Sequence, residues 1–138
     1  MDYTPVELVD NIWFKREDKY APYGDDFISG GKIRQCRDLV ERNLDYIHEF
    51  CDSTIATAAS IHSPQSPIVA RVAKEFDLHC IIGFGNTTIE SALKNIPMQW
   101  CHELGAELVV LSESQGFNNV LYANLKRLEQ ERPFFPIL

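Results

Sequence analysis

Short runs of apolar and β-branched residues alternate along this chain with longer segments whose apolar residues recur every three or four positions. The short runs, which predict strands, cover residues 12–14, 53–58, 79–84, 107–111 and the tail 133–138, and the runs at 12–14 and 107–111 predict buried strands. The longer segments, which predict helices, cover residues 32–50, 64–76, 88–104 with a break at Pro97, and 118–131. Alternating strands and helices pack as a sheet between helical layers. We therefore predict an α/β fold: an open, mostly parallel sheet with helices on both faces, in three αβα layers.

The length of the chain limits its domain organisation. Its 138 residues suffice for one domain with a hydrophobic core but are too few for two ordinary domains. We predict an extended N-terminal segment and loop over residues 1–29, and a single α/β domain over residues 30–138.

Composition excludes several classes of protein. With 45% hydrophobic and 24% charged residues, the chain is typical of a soluble globular protein rather than a disordered one. A net charge of −7 argues against binding to nucleic acid. No apolar run is long enough to span a bilayer, and the N-terminus lacks the basic and apolar parts of a signal peptide. These features favour a cytoplasmic protein with neither a membrane nor a nucleic acid as partner.

The four cysteines lie far apart, and no two of them form a Cys-x-x-Cys pair. Disulfide frameworks and metal sites usually show tighter spacing. We therefore expect reduced, mostly buried thiols and no metal site.

The segment Gly30-Gly31-Lys32 stands at the start of a predicted helix. Glycine allows the backbone to turn sharply and to approach a bound group closely. A lysine ammonium is disfavoured beside the positive end of a helix dipole, which favours the neutral amine that condenses with an aldehyde. Lys32 would suit a Schiff base to pyridoxal phosphate. The alternative is a solvated turn, as most Gly-Gly-Lys stretches are.

Two turns follow predicted strands, at the edge of the sheet where ligands collect in open α/β folds. Ser63-Pro64 begins a helix, with the serine as its cap and the proline at its first position. The turn from Gly83 to Thr88 is either an anion-binding turn or simply a loop and helix cap. Lys32 joins this edge if its helix begins on the same side of the sheet.

Several motifs occur in an order that resembles one known family. They are Lys15-Arg16-Glu17-Asp18, Gly30-Gly31-Lys32-Ile33-Arg34, the segment 63–80, and Leu104-Gly105-Ala106 before a strand. Together they resemble fold-type II pyridoxal-phosphate enzymes, nearest to 1-aminocyclopropane-1-carboxylate deaminase and D-cysteine desulfhydrase, within the tryptophan synthase beta-like superfamily. The resemblance covers only the N-terminal part and smaller domain of such enzymes.

The resemblance implies a set of site residues. Lys32 would be the catalytic lysine that holds the cofactor. The residues implied to bind pyridoxal phosphate are Lys32, Gly30, Gly31 and Gln65. The residues implied to bind a small amino-acid substrate are Ser63, Gln65 and Ser66. Each residue near the helix start also has a simpler interpretation, Ser63 as a helix cap and Gln65 as an exposed first-turn residue.

The chain departs from the family pattern in three ways. Gly31 replaces the family's asparagine before the lysine, and Pro64 replaces the asparagine expected to contact the cofactor ring. The family's catalytic chains are about twice as long, and their glycine-rich phosphate loop lies in a C-terminal half that has no counterpart here. Two functions remain open. The first is a deaminase, desulfhydrase or other lyase-type enzyme completed by a partner chain, a missing half or a homo-oligomer. The second is an inactive truncated homologue that serves as a binding or structural protein.

Overall fold

A computed structural model describes residues 3–112 and 117–138 of the chain. Its main sheet has four parallel strands in the order β5-β4-β3-β6. The strands are β3 (Thr54–Ala58), β4 (His79–Gly85), β5 (Glu107–Ser112) and the short β6 (Phe135–Pro136). Two further strands, β1 (Val6–Val9) and β2 (Ile12–Lys15), form a separate antiparallel hairpin.

Six α-helices connect and cover these strands. They are α1 (Gly31–Arg42), α2 (Leu44–Phe50), α3 (Gln65–Glu75), α4 (Ile89–Ala92), α5 (Ile96–Glu103) and α6 (Asn118–Glu131) within the described residues. A 3₁₀ turn at Glu17–Lys19 precedes α1. No helix in residues 3–112 or 117–138 is long and apolar enough to cross a bilayer.

Alternate residues of the strands point to opposite sides of the sheet, and side chains on both sides are buried. Ile55, Ile82 and Phe84 are fully buried in the cluster that includes side chains of α1, α3 and α5. Ala56 and Ile81 belong to a second cluster, with residues of α6 such as Leu121 and Leu125. The predicted three-layer α/β fold is therefore confirmed, with α6 covering one face.

The apolar run at residues 12–14 was predicted as a buried strand. The strand is present, but the prediction that it is buried is wrong. Strand β2 exists, but it pairs only with β1 among the described residues, and all four of its residues are exposed. Trp13 is 69% exposed. The run marks a strand by its β-branched and aromatic residues, but apolar character alone does not tell what covers it.

The predicted helix over residues 32–50 is interrupted at Asn43. The amide Nδ2 of Asn43 donates to the Leu39 carbonyl at 2.7 Å, and the chain restarts as α2 at Leu44. Asparagine side chains compete in this way with the backbone bonds of a helix. Two further details differ from the prediction. Strand β5 is half-buried at the sheet edge rather than buried, and α3 begins at Gln65 rather than at Pro64.

The break predicted near Pro97 is present, between α4 and α5. Gly105 follows the end of α5 with φ of 84°, as its predicted role in ending the helix requires. The four cysteines are free and buried, also as predicted. No group of three or more potential ligands among the described residues is arranged to hold a metal ion.

Candidate functional site

A cleft of about 340 Å³ lies between α1 and α3, beyond the carboxyl ends of β3 and β6. This is the edge at which ligands collect in parallel α/β sheets. Its lining residues come from α1, α3 and the C-terminal tail: Lys32, Gln35, Cys36, Leu39, Gln65, Ile68, Val69, Ile137 and Leu138. Lys32 and Gln65, which were predicted from separate motifs, therefore share one cleft.

The turn before Lys32 depends on Gly30 more than on Gly31. Gly30 has φ of 123° and ψ of 171°, a conformation that only glycine adopts readily. Its N–H donates to the Tyr20 carbonyl at 2.8 Å, and its carbonyl accepts from the N–H of Ile33 at 3.1 Å. Gly31 is the first residue of α1 and has no such positive φ. Gly30 thus sets the angle at which the helix carrying Lys32 leaves the loop.

Glu17 lies next to this turn and contacts residues on both sides of it. A Cβ built on Gly31 would lie 3.5 Å from Glu17 Oε2, an ordinary contact distance. Lys15 Nζ lies 3.0 Å from Glu17 Oε1, and Arg34 Nε lies 3.4 Å from Oε2. The hydrogen bond from Lys15 is the main cause that lowers the pKa of Glu17. The Lys-Arg-Glu-Asp motif therefore places an ionised carboxylate beside the start of α1, where a negative charge is favoured.

Arg34 links α1 to the loop before it. Its guanidinium lies over the Tyr20 ring, 4.0 Å from the ring centroid, and Nη2 donates to Thr4 Oγ1. Ser29 Oγ donates to the Asp18 carbonyl at 2.9 Å. These contacts fix both ends of the loop that leads to Lys32.

A second polar cluster, which the sequence did not reveal, joins the loop to α1 and α3. Arg37 donates to both carboxylate oxygens of Glu75, at 3.0 and 2.7 Å, and to the Tyr20 hydroxyl at 2.7 Å. Tyr23 donates to Glu75 Oε2 at 2.5 Å. The hydrogen-bonded pairs of this cluster are 17 to 52 positions apart, so spacing along the chain carries no signal for it.

The start of α3 differs slightly from the prediction. Pro64 precedes the first helical residue, Gln65, and Ser63 Oγ accepts a hydrogen bond from the Gln65 N–H at 3.2 Å. Pro64, and not Ser63 as predicted, therefore occupies the N-cap position, although the Ser63 hydroxyl still satisfies the free N–H of Gln65. Ser66 is 1% exposed, and its Oγ has no hydrogen-bond partner. Ser63, Ser66, Gly30 and Gly31 flank the cleft in sequence but do not line it.

Gln65 is fixed by a residue that the sequence analysis missed. Its Nε2 donates to Thr57 Oγ1 at 2.6 Å, and Thr57 Oγ1 donates to the Ile137 carbonyl at 2.5 Å. Thr57 is fully buried in β3. Its signal in the sequence is a hydroxyl residue inside a run of small residues that must be buried, which requires a partner for the hydroxyl.

Cys36 contributes a thiol to the wall of the cleft. Burial raises the pKa of Cys36 to about 12. A thiol with so high a pKa is a poor nucleophile at neutral pH, because the thiolate is the reactive form. Cys36 therefore contributes apolar surface to the cleft rather than a nucleophile.

The turn from Gly83 to Thr88 proves to be a helix cap. Thr88 Oγ1 accepts from the Ser91 N–H at 3.2 Å, and the Asn86 N–H donates to the Ser112 carbonyl at 2.8 Å. The helix that follows, α4, has four residues. Of the two interpretations left open for this turn, the structure shows the loop and cap.

No family model matches the chain. A curated relative, the O-seryl-dTMP PLP-dependent decarboxylase of Salmonella phage ViI, is 29% identical over 149 aligned positions. The alignment covers 95% of this chain and 32% of the relative. The chain thus spans about a third of the length of the curated relative it matches.

Two solved structures resemble the chain over nearly all its length. A pyridoxal 5'-phosphate-dependent aspartate racemase matches with a TM-score of 0.62 and 14% identity, over 99% of this chain and 39% of that one. An ACC deaminase homologue matches with a TM-score of 0.62 and 17% identity, over 97% of this chain and 42% of that one. These matches confirm the resemblance predicted from the sequence: the chain has the fold of the smaller domain of fold-type II pyridoxal-phosphate enzymes.

Proposed function

We propose that this chain is part of a pyridoxal-phosphate-dependent enzyme that acts on a small amino acid, with Lys32 as the Schiff-base lysine. The observation that carries the proposal is the position of Lys32 in one cleft with Gln65, at the carboxyl edge of the sheet. The names of the relative and of the aspartate racemase include pyridoxal phosphate, which supports the cofactor. Because the chain spans about a third of that relative, the activity is proposed for a completed assembly.

The cleft fits one end of the cofactor better than the other. Its volume of about 340 Å³ lies in the range of roughly 300–1,000 Å³ typical of small-molecule sites. The side chains of Ile68, Val69 and Leu39 offer apolar surface to an aromatic ring. Among the described residues that line the cleft, Lys32 is the one charged side chain. A phosphate group would therefore need donors from a partner chain or a further segment.

The residues of this chain would divide the work as follows. When bound, pyridoxal phosphate supplies an electron sink for the substrate's Cα. Lys32 would hold the cofactor through Nζ and, once released, would move the proton at the substrate Cα. Gln65 would orient the bound molecule by hydrogen bonding. The N-terminus of α3, which follows Ser63 and Pro64 and carries Ser66 in its first turn, would attract the substrate carboxylate to the edge of the cleft.

The reaction itself is proposed at the level of a class: deamination, desulfhydration or another lyase-type conversion. These reactions share the loss of a substituent from a substrate whose charge the cofactor has delocalised. A choice among them requires further groups that touch the substrate. Those groups would belong to the completing chain.

One observation favours the alternative of a binding or structural protein. Lys32 is exposed at the rim of the cleft, and Pro64 brings neither a side-chain donor nor a backbone N–H to the neighbouring turn. A truncated homologue that had lost its chemistry would retain the fold with such a site.

Reductive trapping separates the two functions. The full chain is mixed with pyridoxal phosphate and borohydride, and the modified lysines are located by peptide mass spectrometry. We expect preferential modification of Lys32, together with a near-visible absorbance band before reduction. The band should be lost in Lys32→Ala and kept in Lys74→Ala, a matched control at an exposed lysine of α3. Equal labelling of the two lysines, or a band that survives Lys32→Ala, would support the binding or structural protein instead.

A further inference from the structure

One buried hydroxyl, that of Thr57, joins two groups from different parts of the chain. Gln65 Nε2 on α3 donates to Thr57 Oγ1 on β3, at 2.6 Å. Thr57 Oγ1 donates in turn to the carbonyl of Ile137, 80 positions further along the chain, at 2.5 Å. Gln65 and Ile137 both line the Lys32 cleft, whereas Thr57 lies behind it and is fully buried.

The order of donors and acceptors fixes the orientation of the Gln65 amide. A threonine hydroxyl has a single hydrogen, and Thr57 directs it to the Ile137 carbonyl. The hydroxyl can then only accept from Gln65. A flipped amide would place Oε1 against Thr57 Oγ1, so that two acceptors would face each other at 2.6 Å. Nε2 must therefore point inward.

The oxygen of the same amide remains accessible to solvent. Gln65 is half-buried. Among the described residues, Ser66 Oγ is the one buried side-chain oxygen or nitrogen without a hydrogen-bond partner, so Gln65 Oε1 is not a buried, unpaired atom. Within the described residues, the bond to Thr57 is the one hydrogen bond of the Gln65 side chain. Gln65 Oε1 therefore points away from Thr57 and makes no hydrogen bond to the described residues.

The tail of the chain is fixed by the same residues. The Ile137 N–H donates to the Ala56 carbonyl at 2.8 Å, next to Thr57 in β3. Its carbonyl accepts from Thr57 Oγ1. Ile137 is therefore held through both of its backbone polar groups, and the Thr57 hydroxyl connects this wall of the cleft to the wall formed by α3.

The structure assigns to Thr57 the role of a positioning residue, which holds the Gln65 amide and the Ile137 wall in one fixed arrangement around Lys32. The assignment deepens the proposed function and rests on it for its meaning, since Thr57 itself touches no ligand. Both hydrogen bonds of this buried hydroxyl are made to residues that line the cleft.

The test compares Thr57→Val, which keeps the shape and removes the hydroxyl, with Thr57→Ser, which keeps the hydroxyl. The first readout is the side-chain amide resonance of Gln65 in the ligand-free chain, measured by NMR. We expect this amide to exchange slowly with water and to lie away from the mobile glutamine side chains, in the native chain and in Thr57→Ser. In Thr57→Val it should exchange rapidly and join the mobile ones.

The second readout is the affinity for pyridoxal phosphate, followed by its absorbance band. Thr57→Val should weaken binding by about three- to ten-fold, as expected when one hydrogen bond no longer orders the site. Thr57→Ser should restore most of the affinity. Urea unfolding of each variant separates this effect from a general loss of stability.

Several results would overturn the assignment. An unchanged Gln65 resonance in Thr57→Val would do so, as would its loss in Thr57→Ser. If Thr57→Val does not fold, the native chain still decides, because a Gln65 amide that exchanges as fast as free glutamine contradicts the bond. A native chain that binds no pyridoxal phosphate, even with any co-purifying chain present, but shows a protected amide would refute the proposed function and leave the positioning role intact.

Discussion

The two adjacent glycines before Lys32 should respond in opposite ways to the same substitution. Gly30 has φ of 123° and ψ of 171°, in a region that residues with a Cβ avoid. Gly31 stands at the first position of α1 without a positive φ. Alanine at either position adds one methyl group, so the difference between the two variants isolates the backbone conformation.

The expected magnitudes follow from the local geometry. An alanine at position 30 in this conformation costs about 1–3 kcal/mol, whatever space surrounds it. For Gly31→Ala, the new Cβ would lie 3.5 Å from Glu17 Oε2 and 3.8 Å from Glu17 Cβ, which are ordinary contacts. An alanine that fits the native conformation stabilises a protein by about 0.4–1 kcal/mol, because it restricts the unfolded chain. The two variants should therefore differ by about 1.5–4 kcal/mol in free energy of unfolding.

Urea unfolding, followed by circular dichroism and by tryptophan fluorescence, measures this difference. The slope with urea should not change, so that a shifted midpoint reports stability alone. Gly30→Ala should also reduce the preference for Lys32 in reductive trapping, because α1 would leave the loop at another angle. If Gly30→Ala is as stable as the native chain, or if Gly31→Ala is the more damaging change, the argument about this turn is wrong.

Two further substitutions test the surroundings of the site. Glu75→Gln should lower the free energy of unfolding by about 1 kcal/mol at pH 7, since it weakens the charge-assisted bonds to Arg37. Arg37 lowers the pKa of Glu75 below its ordinary value of 4.5, so the advantage of the native chain is present above pH 4.5 and is lost as the pH falls below it. Unfolding curves from pH 7 to pH 3 should therefore converge, and a constant gap would contradict the ion pair. Gly83→Ala should cost about 1–3 kcal/mol, because a Cβ there would lie 2.4 Å from Leu111 Cδ1, and an unshifted urea midpoint would show that Leu111 moves freely aside.

Most of the fold could be predicted from the sequence because its signals are local. Helix α6 was predicted at its observed bounds from the spacing of Leu121, Leu125 and their neighbours. The strands of the main sheet were found because each lies between turn residues, whereas β1 was not predicted. What failed was burial: the hairpin strand β2 is as apolar as a core strand but is exposed, and β5 lies at a sheet edge. Burial depends on which elements pack together, and periodicity does not determine that.

The site divides in the same way. Lys32 and Gln65 were identified from motifs. The rules of parallel sheets placed the turn before Gln65 at the sheet edge, and placed Lys32 there only if its helix begins on the same side; the two residues do share a cleft. Thr57 was not identified, because its partners lie 8 and 80 positions away and come together only when β6 pairs with β3. Arg37 and Glu75 were missed for the same reason. Sequence motifs can reveal residues that touch a ligand, but they rarely reveal the residues that hold those in place.

The direction of Lys32 is set mainly from outside the parallel sheet. The turn before it is tied to the Tyr20 carbonyl, the loop is tied to the Asp18 carbonyl, and Arg34, two residues further along α1, reaches Glu17 and Thr4. Helix α1 itself packs mainly on α3. The cleft therefore combines one wall fixed by the sheet, through Thr57, with a lysine fixed by the N-terminal segment. Because a Schiff base requires the amine to meet an aldehyde at a defined distance and angle, the contacts of that segment matter to the proposed chemistry as much as the cleft itself.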